Sequence, residues 1–230
     1  CRHCRAAADG RARRDELSTD EAACVLDSLA AFARPVLILT GGEPLLREDV
    51  YDLAATAAAS GMRVALATCG RPLDDGVAER LAAAGVSAIS ISIDAPHAAA
   101  HDALRGASGA FDAACAAVAV ARRAGLAVQI NTTVTADNAH WLPDIRDLAV
   151  DLGARTFNPF LLVPTGRGAQ LADRQLPPDR YEQVLHWLAR QSAREDIALR
   201  VTCAPQYQRV LRQHGLAAGP SAGGGCLGGT

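Results

Sequence analysis

The chain has 230 residues, and its 23 Lys and Arg against 25 Asp and Glu give a formal net charge of -2 at pH 7. This near-neutral balance indicates neither a nucleic-acid partner nor binding to an anionic membrane surface. Hydrophobic residues make up 50% of the chain, enough to bury one large core or two small ones, but no apolar run reaches the roughly 20 residues of a membrane-spanning helix.

Strand-like and helix-like segments alternate along the chain, which is the pattern of repeated βα units around a parallel sheet. Helical periodicity, capping residues and glycine stops predict a helical stretch that ends at Gly125 and helices over 19–33, 48–60, 74–84 and 141–152. Short apolar runs predict strands over 36–39, 64–68, 88–93, 128–134 and 157–163. The less regular remainder predicts a helix over 177–194, a short strand over 197–201, a helix over 204–214 and a glycine-rich loop over 219–230.

The two ends of the chain bear on its fold class. It begins at Cys1 without a signal peptide and stops in a glycine-rich stretch, as an excerpt of a longer protein would. A further strand just upstream of Cys1 would bring the five regular strands to six, too few for a closed eight-fold barrel. We therefore predict an α/β fold, a partial (βα)6 TIM-like barrel truncated at both ends. Its core covers residues 1–170, and residues 171–230 hold the last βα element and the start of a C-terminal extension.

Two short motifs carry chemistry. Cys1 and Cys4 form a CxxC pair, which alone fits zinc, a redox dithiol or an iron–sulfur cluster. Thr40-Gly41-Gly42-Glu43-Pro44 follows the first predicted strand, where parallel α/β folds build their sites. The glycines let a ligand approach the backbone, the Glu43 carboxylate suits an ammonium group, and Pro44 stiffens the turn.

The two motifs together resemble the radical S-adenosylmethionine (SAM) superfamily, whose members carry a CxxxCxxC loop and, one βα unit later, a GGEP-like motif. The resemblance implies a [4Fe–4S] cluster held by Cys1, Cys4 and a third cysteine that a CxxxC spacing places upstream of Cys1. It also implies that SAM binds at the open iron and is cleaved to a 5′-deoxyadenosyl radical. The alternatives for the pair are a zinc knuckle or two free thiols.

The same resemblance implies a set of cofactor-binding residues, and we assign no separate catalytic residue. Ser92 and Asn131 are assigned to the ribose or methionine moiety, and Arg105 to the SAM carboxylate through its charged fork. Cys69 stands where family members often have asparagine, in the sequence Thr68-Cys69-Gly70. The full set of predicted SAM-binding residues is Gly41, Gly42, Glu43, Pro44, Thr68, Ser92, Arg105 and Asn131.

A narrower resemblance rests on residues 3–6, 90–94, 101–109, 130–133, 161–168 and 225–229. These stretches are similar to the haem-biosynthesis branch of the superfamily, which includes the iron-coproporphyrin decarboxylase and the d-type haem maturation proteins. The resemblance implies an iron-porphyrin substrate and hydrogen abstraction at a propionate. It also makes Cys226 the first ligand of an auxiliary iron–sulfur cluster in a SPASM-like extension. Arg167 suits a propionate, with an ordinary turn carrying a solvated arginine as an equal alternative.

Two other functions stay open. One keeps the mechanism and changes the substrate to a peptide, as in SPASM maturases, and the other is a zinc-stabilised α/β binding protein without turnover. For the enzyme we expect an electron donor such as flavodoxin or ferredoxin. The seven cysteines, an odd number, argue against a secreted disulfide framework and predict reduced thiols in the cytoplasm, with neither nucleic acid nor membrane as partner.

Overall fold

The computed structural model describes residues 1–11 and 15–216. Within these ranges the helices are α1 (Thr19–Phe32), α2 (Val50–Ala59), α3 (Asp75–Ala83), α4 (Ala98–Arg105), α5 (Ala110–Arg123), α6 (Leu142–Asp151), α7 (Pro178–Gln191) and α8 (Tyr207–Gln213). The strands are β1 (Val36–Leu39), β2 (Arg63–Thr68), β3 (Val86–Ser92), β4 (Ala127–Val134), β5 (Thr156–Leu161) and β6 (Ala198–Leu199). Short 3-10 helices cover Pro44–Leu46, Ala139–Trp141 and Gly166–Arg174.

The predicted strands are all present, with bounds that differ by no more than two residues. Local signals also set the helix starts, as at α1, where Ser18 and Glu21 form a capping box. The prediction missed α4 as a helix separate from α5. Gly106 ends α4 in the left-handed region at φ 66°, so the alanine-rich stretch does not continue as one helix.

The strands lie in chain order, β1-β2-β3-β4-β5-β6, in a six-stranded sheet. The pairs β1–β2, β2–β3, β4–β5 and β5–β6 are parallel. Side chains alternate between two faces, as a period of two requires. Ile89 and Ile91 are 0% exposed, while Ser90 and Ser92 are only half-buried, so one face of β3 is apolar core and the other is polar and accessible.

The described residues divide into two compact units. The first comprises residues 1–5, 92–111 and those from 129 onward, and the second comprises residues 6–91 and 112–128. The first unit packs its core from Ile93, Ile130, Phe157, Leu185 and Leu188, and the second from Leu66, Leu81, Ile89, Ala114 and Val118. The predicted boundary at residue 170 stays a prediction.

Helix length and hydropathy bear on a membrane location. Across the described ranges, no single helix is long and apolar enough to cross a membrane. Helices α4 and α5 meet the length and composition criterion only as a pair, and they are bent by 103° at the break between them.

Candidate functional site

In the second unit, the GGEP motif follows β1 directly and Glu43 ties it to the end of β2. Its Oε1 accepts hydrogen bonds from Thr68 Oγ1 at 2.7 Å and from the Leu45 amide at 3.3 Å, and its Oε2 accepts from the Cys69 amide at 2.8 Å. A carboxylate has about four acceptor positions, and the contacts with described residues occupy three of them. Glu43 therefore fixes the loop, and its predicted contact with SAM stays a prediction.

The glycines of this motif differ in their surroundings. Gly41 has φ 143° and nothing within 4 Å of a built Cβ, whereas a Cβ on Gly42 would lie 3.1 Å from Ala8 Cβ. Pro44 is buried and begins the 3-10 turn. An open cleft of about 740 Å³ lies against the motif and carries side chains of both charges, among them Asp9, Glu16 and Arg47. The backbone at Gly41 is thus accessible, and the predicted approach of a ligand to it stays a prediction.

In the first unit, Cys1 and Cys4 lie on a loop of residues 1–5, the cysteine loop. Cys1 is exposed, Cys4 is half-buried, and neither forms a disulfide. Arg167 holds this loop, since its amide donates to the Cys4 carbonyl at 3.0 Å and its Nε donates to the Cys1 carbonyl at 3.0 Å. The Arg167 side chain therefore supports the cysteine loop. This contact is neither of the two roles considered from the sequence, a propionate contact or a solvated turn.

Gly166 packs directly against the cysteine loop, which gives a testable prediction. Its φ is 58°, and a Cβ there would lie 2.0 Å from the Arg5 carbonyl oxygen. Gly109 offers a matched control, because it has φ 69° with nothing within 4 Å of a built Cβ. We expect Gly109→Ala to cost about 1–2 kcal/mol of unfolding free energy from the left-handed backbone alone.

Gly166→Ala is expected to cost about 1–3 kcal/mol more than Gly109→Ala, because the methyl group displaces the cysteine loop. Urea denaturation of both variants measures the difference. Equal costs would contradict the packing role that we assign to Gly166.

A buried ion pair supports the cysteine loop from another side. Arg105 Nε donates to Asp94 Oδ2 at 2.6 Å, and Arg105 Nη1 donates to Cys1 Sγ at 3.3 Å. Asp94 is 0% exposed and Arg105 is 8% exposed. The other Asp94 oxygen accepts the Thr133 amide at 2.7 Å. Arg105, predicted to bind the SAM carboxylate, thus contacts a buried aspartate and one of the two cysteines of the CxxC pair.

Burial and charge shift the pKa values around this pair. Burial alone raises the pKa of Asp94, but the charges of Arg105 and His3 and the Thr133 amide outweigh it and hold the pKa below its usual range. Burial lowers the pKa of His3 and of His101. His101 acts as a hydrogen-bond acceptor here, because its Nδ1 accepts a hydrogen bond from the Asp94 backbone amide at 3.1 Å. The carboxylate is therefore charged at neutral pH.

Ser92 and Asn131 lie on the neighbouring strands β3 and β4, where the Ile93 amide donates to the Asn131 carbonyl at 2.9 Å. Asn131 Oδ1 accepts from Gln129 Nε2 at 2.8 Å and from Asn158 Nδ2 at 3.4 Å. Its amide nitrogen has no partner in the described part of the chain and is left to donate. The Asn131 side chain therefore keeps donor capacity, and its predicted contact with SAM stays a prediction.

The cysteine loop offers a test of whether a cluster fits. His3 Nδ1, between the two cysteines, is buried without a hydrogen-bond partner among the described residues, which costs about 1–3 kcal/mol unless a bound group satisfies it. No three His, Cys, Asp or Glu side chains converge on a metal position within residues 1–11 and 15–216. The cysteine loop can therefore supply two of the three thiolate ligands that a [4Fe–4S] cluster needs.

Comparison with known proteins decides the family. Residues 1–149 match the model of the Radical SAM superfamily. The AdoMet-dependent heme synthase of Nitratidesulfovibrio vulgaris is 42% identical over 240 residues, which cover 100% of this chain and 65% of that protein. The chain belongs to the radical SAM superfamily.

A second relative agrees with this family assignment, and a solved structure shares the fold. The AdoMet-dependent heme synthase of Methanosarcina barkeri is 42% identical over 243 residues, which cover 100% of this chain and 68% of that protein. The chain thus spans about two thirds of these relatives. Streptococcus suis SuiB, solved with S-adenosylmethionine, superposes with a TM-score of 0.67 at 14% identity over 87% of this chain and 47% of its own.

These findings confirm the predicted partial barrel of the radical SAM type and the cofactors of the superfamily, SAM and a [4Fe–4S] cluster. The individual site residues stay predictions, and Cys226 lies outside the described residues. The sequence analysis assigns no role to Asp94, and it does not predict that Arg167 contacts the cysteine loop. An isolated acid two residues after the alternating strand Val86–Ser92 was the available signal for Asp94.

Proposed function

We propose that the protein is a radical SAM enzyme that modifies a propionate side chain of an iron-porphyrin. The observation that carries the proposal is the 42% identity, over the whole chain, to proteins named AdoMet-dependent heme synthase. This similarity favours a tetrapyrrole over the peptide alternative. The GGEP motif and the CxxC pair favour SAM chemistry over a zinc-stabilised binding protein.

The chain's own residues would hold the cluster loop in place. Cys1 and Cys4 would bind two irons, and we infer that the third cysteine precedes Cys1 in the natural protein. When bound, the cluster supplies the electron that cleaves SAM. Arg167 fixes the carbonyls of both cysteines, which keeps the two thiols at one spacing and orientation.

Polar groups at the strand ends would then bind SAM. Arg105 has five N–H donors; its contacts to Asp94 and Cys1 use two of them, and the others suit a carboxylate. The Asn131 amide nitrogen and the Ser92 hydroxyl suit ribose or methionine oxygens. In the second unit, the backbone of Gly41 and Gly42 and the remaining acceptor position of Glu43 suit the methionine ammonium, with Pro44 and Thr68 fixing the loop.

Several partners complete the proposal. A low-potential donor such as flavodoxin or ferredoxin would reduce the cluster, and Cys226 would bind an auxiliary cluster. We expect the enzyme to act in the cytoplasm, with neither nucleic acid nor membrane as a partner. These statements rest on the family resemblance, on the balanced charge of the chain and on the free thiols of the six cysteines within residues 1–11 and 15–216.

Substrate turnover tests the proposal. We expect the natural full-length protein, with its cluster reconstituted, to use SAM and dithionite to remove carbon dioxide from an iron-porphyrin with free propionates. Mass spectrometry would detect the decarboxylated product. The matched methyl ester of the same porphyrin should not react, because its propionates are blocked. Intact iron-porphyrin beside measurable SAM cleavage would contradict the tetrapyrrole substrate and favour a peptide.

A further inference from the structure

We propose that Arg105 is a positioning residue that donates a hydrogen bond to the sulfur of Cys1 and thereby raises the reduction potential of the cluster. The inference rests on the proposed function, because it requires Cys1 to be a cluster ligand. It concerns the electron-accepting group itself and is separate from the contact predicted between Arg105 and the SAM carboxylate.

The geometry places one guanidinium between an acid and a thiol. Arg105 Nε lies 2.6 Å from Asp94 Oδ2, and Nη1 lies 3.3 Å from Cys1 Sγ. The two contacts use different nitrogens, so the N–H aimed at the sulfur is not shared with the carboxylate. Because the guanidinium is planar and rigid, fixing Nε also fixes the direction of Nη1.

Asp94 is itself held from the surrounding backbone. Its Oδ1 accepts the Thr133 amide at 2.7 Å, its amide donates to His101 Nδ1 at 3.1 Å, and its carbonyl accepts from Asn138 Nδ2 at 2.9 Å. Asn138 is buried, and its side-chain Nδ2 also donates to the Thr133 carbonyl at 2.8 Å. The carboxylate that orients Arg105 therefore has a fixed position against the end of β4.

The electrostatic consequence follows from the charge change on reduction. Reduction adds one negative charge to the cluster and its thiolates. A hydrogen bond to a ligand sulfur and a nearby cation both stabilise the more negative state, and burial strengthens both effects. Asp94 neutralises the pair as a whole, but the positive end of the pair faces Cys1. Arg105 should thus make the cluster easier to reduce.

The test is a redox titration of the reconstituted natural full-length protein, followed by electron paramagnetic resonance without SAM. Omitting SAM removes its carboxylate as a competing partner of Arg105. Two variants with a neutral residue at position 105 are compared, Arg105→Gln and the double variant Asp94→Asn/Arg105→Gln. The double variant is included because it leaves no unpaired buried charge. Arg105→Lys keeps a cation, and Arg123→Gln is the control, because Arg123 forms an exposed pair with Asp75.

We expect a more negative midpoint potential in both neutral variants, a smaller shift in Arg105→Lys and no shift in Arg123→Gln. A purely structural role for Arg105 would change the amount of cluster but not its potential. A wild-type potential in either neutral variant overturns the inference. Failure of the wild-type protein to take up iron and sulfide would instead overturn the proposed function, so the two failures are distinguishable.

Discussion

Replacing Cys1 or Cys4 by alanine is expected to abolish iron retention after anaerobic reconstitution of the natural full-length protein with iron and sulfide. Each thiolate is proposed to bind one iron, and the loop has no spare cysteine among residues 1–11. Losing an outer-sphere partner of a metal site typically costs about 10–100-fold in metal affinity, so losing a direct ligand should exceed about 100-fold. Iron and sulfide analysis and the visible absorption of the cluster measure the effect.

Two other cysteines provide matched controls. Cys24 lies on α1 and is exposed, and Cys115 is half-buried on α5. Burial raises the pKa of the Cys115 thiol, which disfavours the thiolate form that binds metal. Alanine at either position should leave iron content unchanged. Normal iron content in Cys1→Ala or Cys4→Ala would exclude these residues as ligands.

Asp94→Ala is expected to lower the free energy of unfolding by about 3–5 kcal/mol. The substitution removes one partner of a buried ion pair and leaves the Arg105 charge unpaired, which is the costly way to break such a pair. It also removes the acceptor of the Thr133 amide. Urea denaturation measures the loss, which should be seen without any cofactor.

The control for Asp94 is a solvent-exposed ion pair between the same two residue types. Asp75 and Arg123 have side chains that are 63% and 58% exposed, and exposed pairs contribute only about 0–1 kcal/mol. Asp75→Ala should therefore change stability little. Equal losses for Asp75→Ala and Asp94→Ala would show that burial of the Asp94–Arg105 pair does not matter.

The pH dependence of stability has a defined sign at Asp94. Its pKa is lower in the folded protein than the ordinary value of 3.8. Unfolding at low pH therefore takes up a proton that the folded state does not bind. The contribution of Asp94 is fully present above pH 3.8 and is lost as pH falls through the lowered pKa. Asp94→Asn should flatten this acid limb of the stability curve, measured by urea denaturation against pH.

Much of the fold follows from local pattern. Glycines and prolines separate the βα units, and the alternation of isoleucine and serine in Val86–Ser92 gives the strand and its buried face together. The position of the GGEP motif at the end of β1 is also a local feature, because the motif follows the short apolar run of that strand within a few residues.

The parts that the sequence did not reveal depend on distant contacts. The hydrogen bond from Arg167 to the Cys1 carbonyl joins residues that are 166 positions apart, and no local pattern encodes it. Glu43 similarly reaches the end of β2, 25 positions away, where Thr68 occupies one of its oxygens. The sequence therefore predicts candidate site residues, while the structure shows which residues hold others in place.

The proposed function requires that this protein cleave SAM reductively at an iron–sulfur cluster. The most direct test is anaerobic reconstitution of the natural full-length protein with iron and sulfide, then addition of dithionite and SAM and quantitation of 5′-deoxyadenosine. We expect 5′-deoxyadenosine that depends on the cluster and disappears in the Cys1→Ala/Cys4→Ala variant. Protein that carries zinc, takes up no iron and leaves SAM intact would contradict the proposed function and support the zinc-stabilised binding protein.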